Sequence, residues 1–376
     1  MHQPAPTRRE ASLKAAAAPP RPIFRIVVAL RNLLLRLADR LVPAQVPVLE
    51  RLAGYYQLCA VHAAAELKVA DRLAAGPKRV DELASAVGAK PELLERLLRA
   101  LASYGMFARL PDGRWAQNRL SRVLLDGAPG SLRELAMFVG SSYHLRAWDR
   151  FAENLSSGDH AFAAEHGGGL FEYLASHADD AAHFDGAMVA LTTMDAPALA
   201  AAYDFGALGD GKLCDVAGGR GTLLAAILQR HRRLRGVLFD DAKVVAAAGP
   251  LLRAHGVADR IEVVGGSFFE KVPPDCAAYL LKDILHDWDD ERALAILKVV
   301  RAAMRPGARL LVAEMIVDDV RERDFGALLD LEMMAIMNGM QRSPAQLGAL
   351  FERAGLALTR VIPAATPTSL VEGIAQ

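Results

Sequence analysis

Three cysteines in 376 residues, Cys59, Cys214 and Cys276, lie far apart without a Cys-x-x-Cys pair, which excludes a disulfide framework and a cysteine-built zinc site. Net charge is missing as well. With 44 basic side chains against 44 acidic ones, the chain lacks the overall attraction that carries non-specific nucleic-acid binding, so nucleic acid is not an expected partner. No apolar run approaches the roughly 20 residues that cross a bilayer, and the N-terminus has no apolar core followed by a small-residue cleavage site. The expectation is a cytoplasmic protein without a membrane span. No ligand cluster suggests a metal. What the chain does have is apolar content, 52% of its residues, ample for a large core and roughly two domains.

Residues 1–22, rich in Ala, Pro and Arg without periodicity, read as a disordered lead. From Ile23 to Leu41 the residues Arg25, Asn32, Arg36, Asp39 and Arg40 fall on one helical face, with Ile, Val and Leu covering most of the rest. Such a basic amphipathic helix lies on a membrane surface or packs against protein; packing, or a dimer interface, is the commoner use. After Gly76-Pro77 a helix from Asp81 to Gly88, a second from Pro91 with Leu94, Leu98 and Leu101 in helical spacing, and a hairpin turning at Pro111-Asp112-Gly113 form a winged-helix pattern. In its second helix Glu92 and Glu95 offset Lys90, Arg96 and Arg99, which favours scaffolding or dimerisation over a major-groove role. Residues 23–125 are therefore read as a winged-helix-like dimerisation domain.

Residues 126–204 read as a helical linker and pocket region, with Trp148, Phe162 and Met188 available to a cavity or a core. Residues 205–376 alternate short apolar runs (LCDV, GVLFD, IEVV, AAYLL, RLLVAEMI) with amphipathic helices, the pattern of a parallel α/β sheet. The last two runs, LALTRVI and SLVEGIA, are separated only by PAATPT, too short for a helical crossover, so they form an antiparallel hairpin.

In an open α/β sheet ligands bind beyond the carboxyl ends of the strands. There the chain places Asp215 and the turn CDVAGGRG, Asp240, Gly265-Gly266-Ser267, Lys282 to Asp287, and Glu314. Asp240 stands about twenty residues after the glycine turn, where a carboxylate takes both hydroxyls of a ribose, which points to a nucleoside cofactor. Leu224 stands where a dinucleotide fingerprint would need Gly or Ala, so NAD is disfavoured. His286, between a strand and a helix that Asp287 or Asp289 caps, is placed to act as a general base; a helix-starting histidine is the plainer alternative. Ala217 is expected to be extended, with negative φ, because an alanine forced to positive φ costs about 1 to 2 kcal/mol.

The ordered motifs CDVAGGRG, VLFDD, VVGGSFFEKVP, YLLKDILHDWDDERALAIL, LLVAEMIV and GMQRSPAQLGALFERAGL resemble the S-adenosylmethionine (SAM)-dependent O-methyltransferases of plant caffeate-type and bacterial tailoring pathways. The resemblance runs from about Pro47 to the C-terminus. It implies a Rossmann-like class I methyltransferase domain behind an N-terminal, mainly α, winged-helix domain that makes a homodimer, and a small-molecule substrate. It also implies SAM contacts at Asp215, Gly219, Gly221, Asp240, Ser267, Phe268 and Lys282, with His286 as the base and Glu314 hydrogen-bonded to its imidazole. Gln341 stands where many members have a second glutamate, and Ser267 where they have an aspartate. Met337 and Asn338, from the cluster Met333, Met334, Met337 and Met340, join Met188, Phe162 and Trp148 as the expected substrate wall. The expected reaction is methylation of a hydroxyl on an aromatic or polycyclic metabolite. N- or C-methylation, a non-methylating SAM-family reaction and a winged-helix ligand sensor are the alternatives.

Overall fold

The computed structural model describes residues 19–320 and 323–375; most of the expected disordered lead lies outside them. The described chain forms two compact units, Ala29–Leu191 and Thr192–Gln376, the start of the first helix up to Val28 being counted with the second. The division between the units falls inside the long helix Ala178–Ala202, with the winged-helix segment and the helices after it in one unit. Among the described residues no helix is long and apolar enough to cross a membrane.

The first unit begins with helices α1 (Arg21–Arg40) and α2 (Gln45–Glu66). After a one-turn helix, Val69–Arg72, come the helices Val80–Val87, closed by Gly88 at φ +72°, and Pro91–Ser103, started by proline at its first position. The wing pairs β1 (Ala108–Arg109) with β2 (Trp115–Ala116). Leu83, Leu94, Leu98, Leu101, Phe107 and Trp115 form this part of the core. In the pairing of Trp115 Nε1 with Glu95 Oε2 at 2.7 Å, the buried indole N–H finds an acceptor.

The second unit is a seven-stranded sheet of β3 (Lys212–Val216), β4 (Arg235–Asp240), β5 (Ile261–Gly265), β6 (Ala278–Lys282), β7 (Arg309–Met315), β8 (Leu356–Pro363) and β9 (Thr368–Ala375). Its order is β5-β4-β3-β6-β7-β9-β8; the first five strands run parallel and β9 is antiparallel to both its neighbours. The central strands β3, β4 and β6 are near-continuous apolar runs because helices cover both faces. The strand order reverses between β3 and β6, so a crevice opens there at the carboxyl ends, beside Asp215, Lys282 and the segments that follow them. The hairpin is held by Glu372, a buried β9 carboxylate. Burial alone would raise its pKa, but hydrogen bonds from Arg360, Tyr203, Arg309 and Thr359 hold it at about 2.

Candidate active site

The turn after β3 departs from the sequence-based expectation. Val216 is the last strand residue, and Ala217 lies in the left-handed region at φ +55°, followed by Gly219 at +59° and Gly221 at +81°. The chain reverses at once because Gly218 N–H bonds the carbonyl of Phe239 on the neighbouring strand, at 3.2 Å, and this leaves Ala217 no extended course. Gly218 is needed for close approach: a Cβ there would stand 2.6 Å from the Asp215 carboxyl carbon and 2.7 Å from Leu238 Cδ1. Ala217→Gly is therefore expected to raise stability by about 1 kcal/mol, the left-handed penalty less the entropy glycine adds to the unfolded chain. Denaturant midpoints check this, and the loss usual for glycine at an ordinary position would show that the turn is not left-handed in solution.

Gly219 N–H donates to Asp240 Oδ2 at 2.8 Å, so the turn and the end of β4 are joined through the carboxylate expected to meet a ribose. Asp215 is buried, and its Oδ2 has no partner. Burial, and then the charge of Asp240, push its pKa up to about 7. Two carboxylates converging on an open glycine turn suit a cationic ligand, whose charge would relieve both. Lys282 is buried and its ammonium is paired with Asp283, with Asp195 Oδ2 at 3.9 Å; Asp195 in turn accepts from Thr368 Oγ1 at 2.9 Å and from Thr366. The Ser267 hydroxyl accepts from Phe269 N–H at 3.2 Å within its own turn, and Phe268 belongs to an aromatic group with Phe269 and Trp288.

After Lys282 the chain turns at Asp283, another non-glycine residue in the left-handed region at φ +54°, into a short 3-10 turn, Leu285–Asp287. Asp289 caps the helix Asp290–Ala303 by accepting from Arg292 N–H at 2.8 Å. His286 is thus buried at the end of β6. Its ring is met by Gln341, with Gln341 Nε2 at 2.6 Å from His286 Nδ1 and Gln341 Oε1 unpartnered. The two ends of a glutamine amide are assigned by their partners. Turned about, the carbonyl oxygen accepts from Nδ1–H, and His286 Nε2 carries the free lone pair. Burial lowers the imidazole's pKa, which keeps the ring neutral near pH 7.

Glu314, at the end of β7, does not reach the imidazole as expected: its Oε1 accepts from the His286 backbone N–H at 3.1 Å. It pins the main chain, because the 3-10 turn points its free amides at the end of the adjacent strand. Glu314 Oε2 is buried without a partner, and burial, with Asp283 next, pushes the pKa up to about 7. Asp287 Oδ1 lies 3.4 Å from His286 Nε2, and its carboxyl is raised well above the usual range by burial and then by Asp283 and Glu314.

Asp215 and Glu314 bind protons more tightly folded than unfolded. The stability of the ligand-free protein should therefore fall as pH rises from about 4 through about 7, and level off above that. Thermal midpoints across this range test it, and Glu314→Gln should flatten the slope; an unchanged slope would show that Glu314 is ionised in the folded protein throughout.

Sequence reasoning missed what holds Gln341 in place. The helix Phe325–Glu332 continues into a π turn, Met333–Met337, and ends with Asn338 in the left-handed region at φ +61°. Gln341 N–H bonds Asp330 Oδ1 at 2.6 Å, and Met340 N–H bonds the His286 carbonyl at 2.9 Å. Buried Arg342 donates to the carbonyls of Leu285 at 2.7 Å and Trp288 at 2.8 Å, and to Asp290 at 2.9 Å. An arginine beside Gln341 was the one available signal, but its partners are some fifty residues away.

Of the expected substrate wall, Met337 is half-buried in the π turn and Asn338 is exposed. Met188 and Trp148 are half-buried in the first unit. Phe162 is fully buried against Tyr143, His166 and Tyr173, so its ring supports the fold and has no free face for a ligand. Among the described residues no three His, Cys, Asp or Glu side chains are grouped to hold a metal ion.

Two family descriptions match the chain: an O-methyltransferase domain over residues 144–357 and an O-methyltransferase dimerisation domain over residues 49–127. The phenazine O-methyltransferase PhzM of Lysobacter antibioticus is 38% identical over 331 residues, covering 88% of this chain and 96% of that protein. The crystal structure of LaPhzM superposes with a TM-score of 0.86 at 38% identity, over 89% of this chain and 100% of that one. The O-methyltransferase NcsB1 of neocarzinostatin biosynthesis, solved with SAM and 2-hydroxy-5-methyl naphthoic acid, gives 0.72 at 35% identity, over 85% and 96%.

Proposed function

The chain belongs to the O-methyltransferase family, and on that premise we propose that it is a cytoplasmic homodimer that methylates a hydroxyl of an aromatic or polycyclic small molecule with SAM. The observation that carries the reading is His286: a buried neutral imidazole, its Nδ1 on a neutral amide and its backbone pinned by Glu314, at the carboxyl edge of the sheet that also bears the acidic glycine turn. The turn fits SAM, since orphaned Asp215 Oδ2 and neighbouring Asp240 favour a ligand with an ammonium and a sulfonium. When bound, SAM supplies a methyl group activated by its positive sulfur.

Asp240 would take the ribose, Gly219 and Gly221 would let the backbone approach, and Phe268 would stack beside the adenine. Ser267 would add a weaker polar contact than the aspartate of other members. Lys282, neutralised by Asp283 and Asp195, would act as a positioned donor and not as a free charge. His286 Nε2 takes the hydroxyl proton as the oxygen becomes a nucleophile. Gln341, in the place of the second glutamate of many members, orients the ring through Nδ1 with a neutral amide. Met337 and Asn338 are assigned to the substrate. Alignment of two bound reactants removes roughly 7 to 11 kcal/mol of barrier, more than the base contributes.

The test is incubation of the purified protein with methyl-labelled SAM and a panel of phenols, enols and amines. Labelled ether products are expected from hydroxylated aromatics. Binding of SAM without transfer to any acceptor would overturn the reading, and transfer to amines alone would move it to N-methylation.

A further inference from the structure

Helix α1 is long and yet buries nothing: none of its twenty residues is buried. Twenty residues make a rod about 30 Å long. At 3.6 residues per turn Arg21, Arg25, Asn32, Arg36, Asp39 and Arg40 share one arc of about 100°, and apolar residues fill nearly all the rest. Ile23, Ile26, Leu30, Leu33, Leu34 and Leu37 are each exposed, Ile26 by 66% and Leu34 by 58%. The helix holds five arginines and one aspartate in a chain whose total charge is zero, and that aspartate, Asp39, is paired with Arg51 of α2 at 3.0 Å.

Two observations separate α1 from the dimerisation surface. The dimerisation family match begins at residue 49, beyond α1, whereas the exposed apolar residues of α2, Leu49, Leu52, Tyr55 and Tyr56, lie inside it. Second, Arg31 projects from within the apolar arc. In a protein interface that guanidinium would be buried in an apolar contact at a cost of several kcal/mol. At a lipid surface its stem lies along the acyl boundary while the head reaches the phosphates.

We propose that α1 is a membrane-surface helix, lying in the headgroup layer of an anionic leaflet with its apolar arc toward the acyl chains and its arginines on lipid phosphates. A wide apolar arc beside a basic face, on a helix too charged to span, is the form such helices take. The leaflet attracts each arginine, and the apolar side chains supply the rest of the binding.

The experiment is sedimentation of the full-length protein with phosphatidylcholine vesicles, with and without phosphatidylglycerol, at low and high salt. Binding is expected only with phosphatidylglycerol and should weaken as salt rises. Replacing Arg25, Arg36 and Arg40 together by glutamine should lower the affinity roughly 100-fold, and Ile26→Glu with Leu30→Glu should abolish it. Circular dichroism and thermal midpoints, expected unchanged in both variants, report folding independently of any enzyme assay. Equal binding to both vesicle types, or none, overturns the proposal. So does a variant that binds vesicles as before but runs as a monomer in size-exclusion chromatography, which would assign α1 to a second copy of the chain.

Discussion

His286→Ala is expected to lower kcat by about 10²- to 10⁴-fold, with the KM for SAM little changed. The imidazole combines a neutral state, a ring held at Nδ1 by Gln341 and a position just beyond the strand edge. Because burial depresses its pKa below the ordinary histidine value, the base is already deprotonated at neutral pH, and wild-type kcat at saturating SAM should fall only on the acid side of neutrality. That acid limb should disappear in the alanine variant, leaving a slow rate independent of pH in this range. Product formed as fast without the imidazole would show that alignment alone drives the transfer. Gln341→Glu offers a complementary measurement: a carboxylate at Nδ1 favours the charged ring and should move the acid limb to higher pH.

Gly339→Ala is expected to cost about 10²-fold in kcat and about 1 to 3 kcal/mol in stability, although residue 339 is not among the expected site residues. A Cβ at this position would overlap the carbonyl oxygen of His286 and stand 2.6 Å from Asp287 C and 2.8 Å from Trp288 N. All three are backbone atoms, so no rotamer change relieves the crowding. The segment carrying Gln341 and the segment carrying His286 must separate, and the bonds from Met340 N–H and Gln341 to His286 lengthen together. Steady-state kinetics beside denaturant midpoints will distinguish the two effects. Full activity in the alanine variant would mean that the two segments do not approach this closely in solution.

These residues show how far the sequence could be read. The strands of the sheet, the closing hairpin, the winged helix and its caps were legible because apolar period and turn chemistry are local properties. Asp215, Asp240, His286 and Glu314 were legible for a related reason: each stands at or just beyond the carboxyl end of a strand, where in this architecture ligands bind. Gln341 was legible through its motif, whereas Asp330, Gly339 and Arg342 were not. Their roles exist only because a loop some fifty residues further along folds back onto the 3-10 turn at His286.

Two expectations failed for the same cause. Ala217 was expected to be extended because alanine avoids positive φ, yet the bond from Gly218 N–H to Phe239 on the next strand holds it in the left-handed region. Glu314 was expected at the imidazole, yet the amide it meets belongs to the backbone of the turn. By itself the sequence determined the sheet, the glycine turn after its first strand and the place of His286 just beyond β6, since composition, periodicity and motif spacing depend on neighbours within a few residues. Only the tertiary structure decided the partner of His286 Nδ1, the strained turn at Ala217 and the burial of the Lys282 side chain and Phe162, because each depends on which distant backbone or charge arrives within about 3 Å of it, a distance that hydrogen bonding and packing, not local propensity, determine.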